Sequence, residues 1–343
     1  MRKCMTTGLD IAKMSFHLVS LNATGKYHSR KKLKRAEVLR YFAQLTPGLV
    51  ALEACSGAHY WARELSALGH QVQILPPKAV KAHLRAQKND FNDARAIAEA
   101  AYVGMIRPVA AKTIEQQDEQ ALQRVRQQLI RERTALCNQI RGLLGEYGVI
   151  APHGIPQLRK RLITLQDTDS PELTPRFIGL LSRQYQRLIH LDEEIRWHER
   201  ELRLLVKQDE VCQRLMEIPG LGVVNSAALK AWMGDGKQFR RGRDASAALG
   251  IVPGQFSTGG KPVLLGITKK GDGHVRSLVI HGARAVVQQA GRKTDSLSCW
   301  INDLVARRGF NKATVAVANK LVRMAWVIIA RNERYRPLEA QVV

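Results

Sequence analysis

The first hundred residues alternate between short apolar runs and amphipathic stretches. Residues 6–10 enter an extended run that resumes at Phe16–Leu21, and Thr24-Gly25 marks a hairpin turn. A basic stretch from Arg30 to Arg35 leads into a helix near 36–45. Leu49-Val50-Ala51-Leu52 has the form of a short buried strand ending at Glu53, and a helix follows at 58–68. Gln71–Leu75 is a further strand, stopped by Pro76-Pro77, before helices at 78–86 and 91–103. This β-β-β-α-β-α-β-α order with short connections predicts a mixed α/β sheet.

From residue 115 the period changes. Leu122, Val125, Leu129, Leu136, Ile140 and Leu143 recur at helical steps, and Leu181, Tyr185, Leu188, Ile195, Leu202 and Leu205 form a second stripe. A loop holding Pro152, Pro156, Pro171 and Pro175 joins them. Two such helices fit an antiparallel coiled-coil arm, which also offers an oligomer contact, and equally two members of a globular bundle. Residues 211–343 are helical at both ends with a Gly-rich middle. The expected division is therefore 1–108, 109–210 and 211–343.

Composition narrows the class of partner. A chain of 343 residues exceeds one ordinary core, and an apolar content of 45% excludes a disordered chain. The low aromatic fraction of 6% points to much helix. The formal net charge of +24 is self-repulsive unless a polyanion neutralises it, which favours nucleic acid over a small metabolite. A membrane surface is disfavoured because the basic residues are spread along the chain rather than set beside an apolar anchor. Met324 to Ala330, the longest apolar stretch near the C-terminus, is too short to span a bilayer, and the opening residues lack the apolar core of a signal peptide. The five cysteines show neither close pairing nor metal-type spacing, as expected of a reducing cytoplasm.

Against this basic background four carboxylates stand out: Asp10, Glu53, Asp90 and Asp93. Asp10 interrupts an apolar strand in Gly8-Leu9-Asp10-Ile11-Ala12-Lys13, which is costly unless the acid is paired or metal-bound. Glu53 ends the next buried strand. Asp90 and Asp93, three apart, share one helix face. Individually, Asp90 is adequately explained as an N-cap and Asp93 as a first-turn acid that complements the helix dipole. Jointly, the four predict a two-metal phosphoryl-transfer site with ions roughly 4 Å apart. A divalent cation is the usual answer to such a gathering of acids in a basic protein.

Two further segments belong to nucleic-acid chemistry. Ile218-Pro219-Gly220-Leu221-Gly222 before an Ala-rich helix has the form of a helix-hairpin-helix turn, in which backbone N–H groups meet a phosphate. A Pro-Gly turn between packed helices explains it nearly as well. Gly250 to Lys261 contains Ser257-Thr258-Gly259-Gly260, and Ile267-Thr268-Lys269-Lys270-Gly271 follows. A hydroxyl beside glycines in a basic loop serves as a phosphate clamp or as a nucleophile, and spacing favours the clamp. Arg276, His281 and Arg284 form a helical stripe, solvated or facing RNA.

Taken in order, Gly8-Leu9-Asp10-Ile11-Ala12-Lys13, Leu52-Glu53-Ala54, Asp90-x-x-Asp93-Ala94, Ile218 to Gly222, Gly250-x-x-Pro253 with Ser257 to Gly260, and Ile267-Thr268-Lys269-x-Gly271-x-x-x-x-Arg276 carry a resemblance over nearly the whole chain. The sequence resembles insertion-sequence transposases with an N-terminal Asp-Glu-Asp-Asp tetrad, the insertion-sequence 110/1111 family, which includes bridge-RNA-guided recombinases. The resemblance implies an α/β plus α architecture: a RuvC-like, RNase H-type sheet domain, a long coiled-coil arm and a mainly helical C-terminal transposase domain. It implies magnesium on the tetrad and Ser257 as a nucleophile that forms a 5′-phosphoserine link to DNA. Some relatives carry serine at the place of Thr258, and the less hindered primary hydroxyl of Ser257 is the assigned nucleophile. Donor and target DNA, a structured guide RNA and a homo-oligomer (dimer or tetramer) are the implied partners, with a bacterial, nucleoid-associated location. Lys13, Gly220, Gly222, Thr258, Gly259, Lys261, Lys269, Lys270 and Arg276 are the expected nucleic-acid contacts. The competing enzyme reading is a metal-dependent Holliday-junction-type nuclease in which water attacks.

Overall fold

Period-two alternation gives the N-terminal strands two working faces, and the fold of this region follows from how each face is covered. β1 (Thr6–Ile11), β2 (Ser15–Leu21) and β3 (Tyr27–Lys34) form an antiparallel meander. α1 (Val38–Ala43) leads to β4 (Leu49–Glu53), which pairs parallel with β1. α2 (Ala58–Ala67) and β5 (Gln71–Leu75) follow, then α3 (Pro77–Lys81) and α4 (Asp90–Val103). The sheet order is β3-β2-β1-β4-β5, so the expected mixed sheet is present. The structure is a computed structural model that describes residues 5–84, 87, 89–167 and 173–337. It divides into two units, Met1–Ile114 and Glu115–Val343.

Leu9, Phe16, Leu18, Val50, Leu52 and Ile74 point to one face of the sheet, where Val38 and Phe42 of α1 and Trp61, Ala62 and Leu65 of α2 complete a core. On the other face Ala51 and Leu75 pack with Val80 of α3 and with Ala96, Ile97, Ala100 and Ala101 of α4. By the same alternation Gly8, Asp10, His17 and Glu53 belong to this second face. The basic stretch leads into α1 as expected, and most of it is itself a strand: Arg30, Lys31, Lys32 and Lys34 are exposed on β3, the edge strand, where charge discourages edge pairing. The helix expected at 78–86 is shorter than its pattern, ending at Lys81, and residues 85 and 86 lie outside the described ones.

In the second unit α5 (Ile114–Gly145) and α7 (Pro175–Gln208) run antiparallel. Arg126 pairs with Glu199 at 2.5 Å and Arg133 with Asp192 at 2.9 Å, so equal steps along one helix descend the other. The joining segment is not a simple loop. It holds α6 (Ile155–Asp167), whose Leu158, Leu162 and Leu165 fill the space between Leu136, Ile140 and Leu144 of α5 and Phe177, Leu181 and Leu188 of α7. Pro156 and Pro175 sit in the first turns of α6 and α7, where a missing N–H costs nothing. Pro171 lies outside the described residues. The stripes are also narrower than expected, since Val125 and Leu205 are exposed while Val206 is buried.

α8 (Glu210–Met216) and α9 (Val223–Met233) form a helical hairpin, and α10 (Gly242–Leu249) leads into β6 (Pro253–Gln255) and β7 (Leu264–Ile267). The Gly-rich middle is therefore a small antiparallel hairpin, which the glycine content concealed. α11 (Gly273–Ala290), α12 (Ser296–Arg308) and α13 (Phe310–Arg331) close the unit. Met324 to Ala330 is only the end of α13, a helix long and apolar enough by composition to cross a membrane. Its inner residues, Val317, Leu321, Val322 and Ala325, are fully buried with Val279, Leu229 and Leu249 in this unit's core, which accounts for their apolarity.

Candidate functional site

Gly8 explains why acids from distant segments meet. An added Cβ there would lie 2.1 Å from the Ala94 carbonyl oxygen and 2.5 Å from the Ala98 nitrogen. The backbone of α4 therefore rests directly on β1, and the small residues Gly8, Ala94 and Ala98 permit the approach. Two residues along β1, Asp10 then faces the first turn of α4, which carries Asp90 and Asp93. Glu53 joins from the neighbouring parallel strand, one residue beyond the Leu9–Leu52 pairing.

The N-cap of α4 is Asn89, not Asp90. Asn89 is extended, with φ −152° and ψ 157°, and its side-chain oxygen accepts from the Asn92 N–H at 2.9 Å. Capping is thus done by the preceding residue, and Asp90 at the first helical position is left exposed with its carboxylate toward the sheet.

The electrostatics agree with a crowd of acids. The Asp10 carboxyl is pushed up from 3.8 to about 6, first by burial and then by the neighbouring charges of Asp93, Asp90 and Glu53, while a hydrogen bond from the Ile11 backbone opposes the rise. Burial, with Glu53 and Asp10 adding to it, raises the Cys55 thiol beside them. Such a cluster fits a divalent cation, whose charge would relieve both the desolvation and the repulsion.

One member of the cluster escaped sequence reasoning. His17 pairs directly across from Asp10 in the β1–β2 register and is almost fully buried. Its Nδ1 lies 3.4 Å from Asp90 Oδ2, and donor atoms of Asp10, His17 and Asp90 all fall within 4.8 Å of one another. The Phe91 ring meets the imidazole edge to face at 4.8 Å, and the Arg30 guanidinium covers that ring at 5.1 Å. The available signal was the short break at residues 12–14 between two extended runs: reversing the chain there lays position 17 of β2 beside position 10 of β1.

The other expected contacts lie elsewhere. Lys13 is exposed in the turn after β1. In the second unit Ser257, Thr258, Gly259 and Lys261 are exposed on the tip of the β6–β7 hairpin. The Ser257 hydroxyl oxygen accepts from Gln255 Nε2 at 2.8 Å and from the Val263 N–H at 3.3 Å. Lys269 and Lys270 are exposed at the hairpin base, Lys269 with φ 53°. Gly250 and Gly271 pin that base: a Cβ on the former would meet the Lys270 nitrogen at 2.3 Å, and on the latter the Ala248 oxygen at 2.1 Å. Arg276 acts as a staple, donating from one Nη to the carbonyls of Leu249 and Lys270.

Gly220, with φ 87°, is the left-handed residue of the α8–α9 turn. Its carbonyl accepts from Asn225 Nδ2 at 3.0 Å, and an added Cβ on Gly282 of α11 would come within 2.1 Å of the same oxygen. Close packing of helices therefore accounts for Gly220. Gly222 precedes α9 with open space about it, beside a concavity of about 300 Å³ lined by Arg203, Asn225 and Glu199.

Residues 7–149 match a family profile described as a transposase, and residues 212–297 match one described as the transposase IS116/IS110/IS902 family. The chain is 43% identical over 336 residues to the transposase for insertion sequence element IS1111A of Coxiella burnetii, covering 98% of this chain and 92% of that one. It is 44% identical over 331 residues to a probable family 20 transposase of Pseudomonas aeruginosa, with 96% and 98% coverage. The transposase for insertion sequence element IS1328 of Yersinia enterocolitica is 40% identical over 325 residues, with 95% and 96% coverage.

Proposed function

The chain belongs to the IS116/IS110/IS902 family of insertion-sequence transposases, and on that premise we propose that it is an RNA-guided DNA recombinase that exchanges strands through a 5′-phosphoserine. The observation that carries this reading is the convergence of Asp10, Glu53, Asp90 and Asp93 on one face of a sheet within a chain of net charge +24. The β3-β2-β1-β4-β5 order, with an antiparallel meander beside two parallel strands, supports a RuvC-like, RNase H-type domain. The antiparallel α5 and α7 support a coiled-coil arm, and the working division is 1–108, 109–210 and 211–343.

In this mechanism Asp10, Glu53, Asp90 and Asp93 would hold magnesium, which would supply positive charge to neutralise the scissile phosphate. Ser257 Oγ attacks phosphorus, the Ser–O–P bond forms as the bond to the 3′ oxygen breaks, and the serine proton ends on that departing oxygen. The phosphoserine conserves the energy of the broken ester, so rejoining to a new 3′-hydroxyl needs no nucleotide cofactor. Exposed Lys261, Lys269 and Lys270 around the hairpin hold phosphates without reading bases, while pairing to a guide RNA supplies sequence choice. Gly222 offers a helix N-terminus to a phosphate beside Arg203.

Phe256, Leu264 and Leu265, each more than half exposed on the hairpin that presents Ser257, support burial of this tip against a partner in the working homo-oligomer. The reading predicts a denaturation-resistant protein–DNA adduct that disappears in Ser257→Ala. Cleavage that persists in that variant would overturn it in favour of a metal-dependent junction nuclease using water.

A further inference from the structure

Within the acid cluster the buried atom that lacks a hydrogen-bond partner is a nitrogen. His17 is 4% exposed, and its Nδ1 has no hydrogen bond although Asp90 Oδ2 is 3.4 Å away. An orphaned ring nitrogen in an interior site is costly, by about 1–3 kcal/mol, unless a ligand completes it. The ring has little freedom to turn from the cluster. Strand register sets it opposite Asp10, and the Phe91 ring, held by its place next to Asp90, braces it at 4.8 Å.

The spacing is that of a shared cation. Adjacent donors around an octahedral ion are about 3 Å apart and opposite ones about 4.2 Å, from metal–oxygen distances near 2.1 Å. The donor atoms of Asp10, His17 and Asp90 lie within 4.8 Å of one another, so small rotations of the exposed Asp90 side chain close them on one ion.

We propose that His17 is a metal ligand, its Nδ1 joining Asp10 and Asp90 on one of the two ions. The proposal rests on the carboxylate metal site described above and adds a nitrogen donor to it. A mixed nitrogen–oxygen set has a chemical consequence. Imidazole favours first-row transition ions, whereas magnesium prefers oxygen throughout. The site therefore holds manganese(II) more tightly than magnesium, and His17 supplies much of that preference.

Manganese(II) bound to the full-length protein provides a direct readout through electron spin-echo modulation. Wild type is expected to show nitrogen-14 coupling, which changes to nitrogen-15 coupling when the protein is grown with labelled histidine; this arm needs no variant. In His17→Gln the coupling vanishes, manganese affinity falls at least about tenfold, and the preference over magnesium shrinks. Manganese bound without histidine coupling in wild type, or coupling that survives in His17→Gln, overturns the assignment while leaving the carboxylate site standing. Manganese binding no stronger in wild type than in Asp10→Asn overturns both.

Discussion

Asp10→Asn should stabilise the metal-free N-terminal unit while destroying its metal site. Folding lifts the Asp10 carboxyl from 3.8 to about 6. At about 1.4 kcal/mol per tenfold change in protonation, ionising it in the folded state costs up to about 3 kcal/mol at neutral pH. Solvent screening at the exposed Asp90 trims this to roughly 1–2 kcal/mol. The sign follows from the direction of the shift. A raised carboxyl pKa favours the protonated form, so the penalty is full above about pH 7, roughly halved near pH 5 and gone below about pH 4. Asparagine keeps the shape and removes the charge. In EDTA at pH 7.5, amide protection across residues 6–11, corrected for intrinsic exchange, should rise about 5- to 30-fold in Asp10→Asn. The advantage should shrink at pH 5. Millimolar magnesium should reverse the order, because only wild type gains binding energy. Equal or lower protection of Asp10→Asn in EDTA at pH 7.5 would refute the claim that these acids crowd a partly buried carboxylate.

Three further outcomes test other joints of the structure. Gly8→Ala must push α4 from β1, because its Cβ would fall 2.1 Å from a backbone oxygen; thermal unfolding should show a loss of about 2–3 kcal/mol, and manganese binding should weaken with it. Asp192, buried between Arg133 and Arg159, holds α5, α6 and α7 together. Asp192→Asn should cost about 3 kcal/mol in urea unfolding, and a change below about 0.5 kcal/mol would show the ion pairs to be ornamental. Thr258→Ala should retain covalent DNA adduct within about tenfold of wild type, whereas loss as complete as in Ser257→Ala would move the nucleophile to Thr258.

The strands of the first unit were legible because each lies on a buried sheet and obeys a period of two. Asp10 and Glu53 were conspicuous as charges set where that period places apolar or small residues. Elements governed by other physics were harder to see. α6 was hidden because Pro156 looked like a loop residue, yet a proline in the first helical turn is harmless. The β6–β7 hairpin was hidden because Gly254 and Gly266 weaken every strand signal. His17 looked like an incidental polar residue in Phe16-His17-Leu18, since its meaning depends on a partner strand and on a helix more than seventy residues later.

The faces of the strands, the stripes of the long helices, the family motifs and the excess of positive charge can all be read along the chain. All of these are properties of a few residues in line or of a sum over the chain. That α4 sits on β1 at Gly8, that Asn89 rather than Asp90 caps it, and that a buried imidazole joins the acids emerge only from the folded chain. Those facts arise from close packing between segments far apart in the chain. A local period says which way a side chain points, but only the contact at Gly8 decides what it meets.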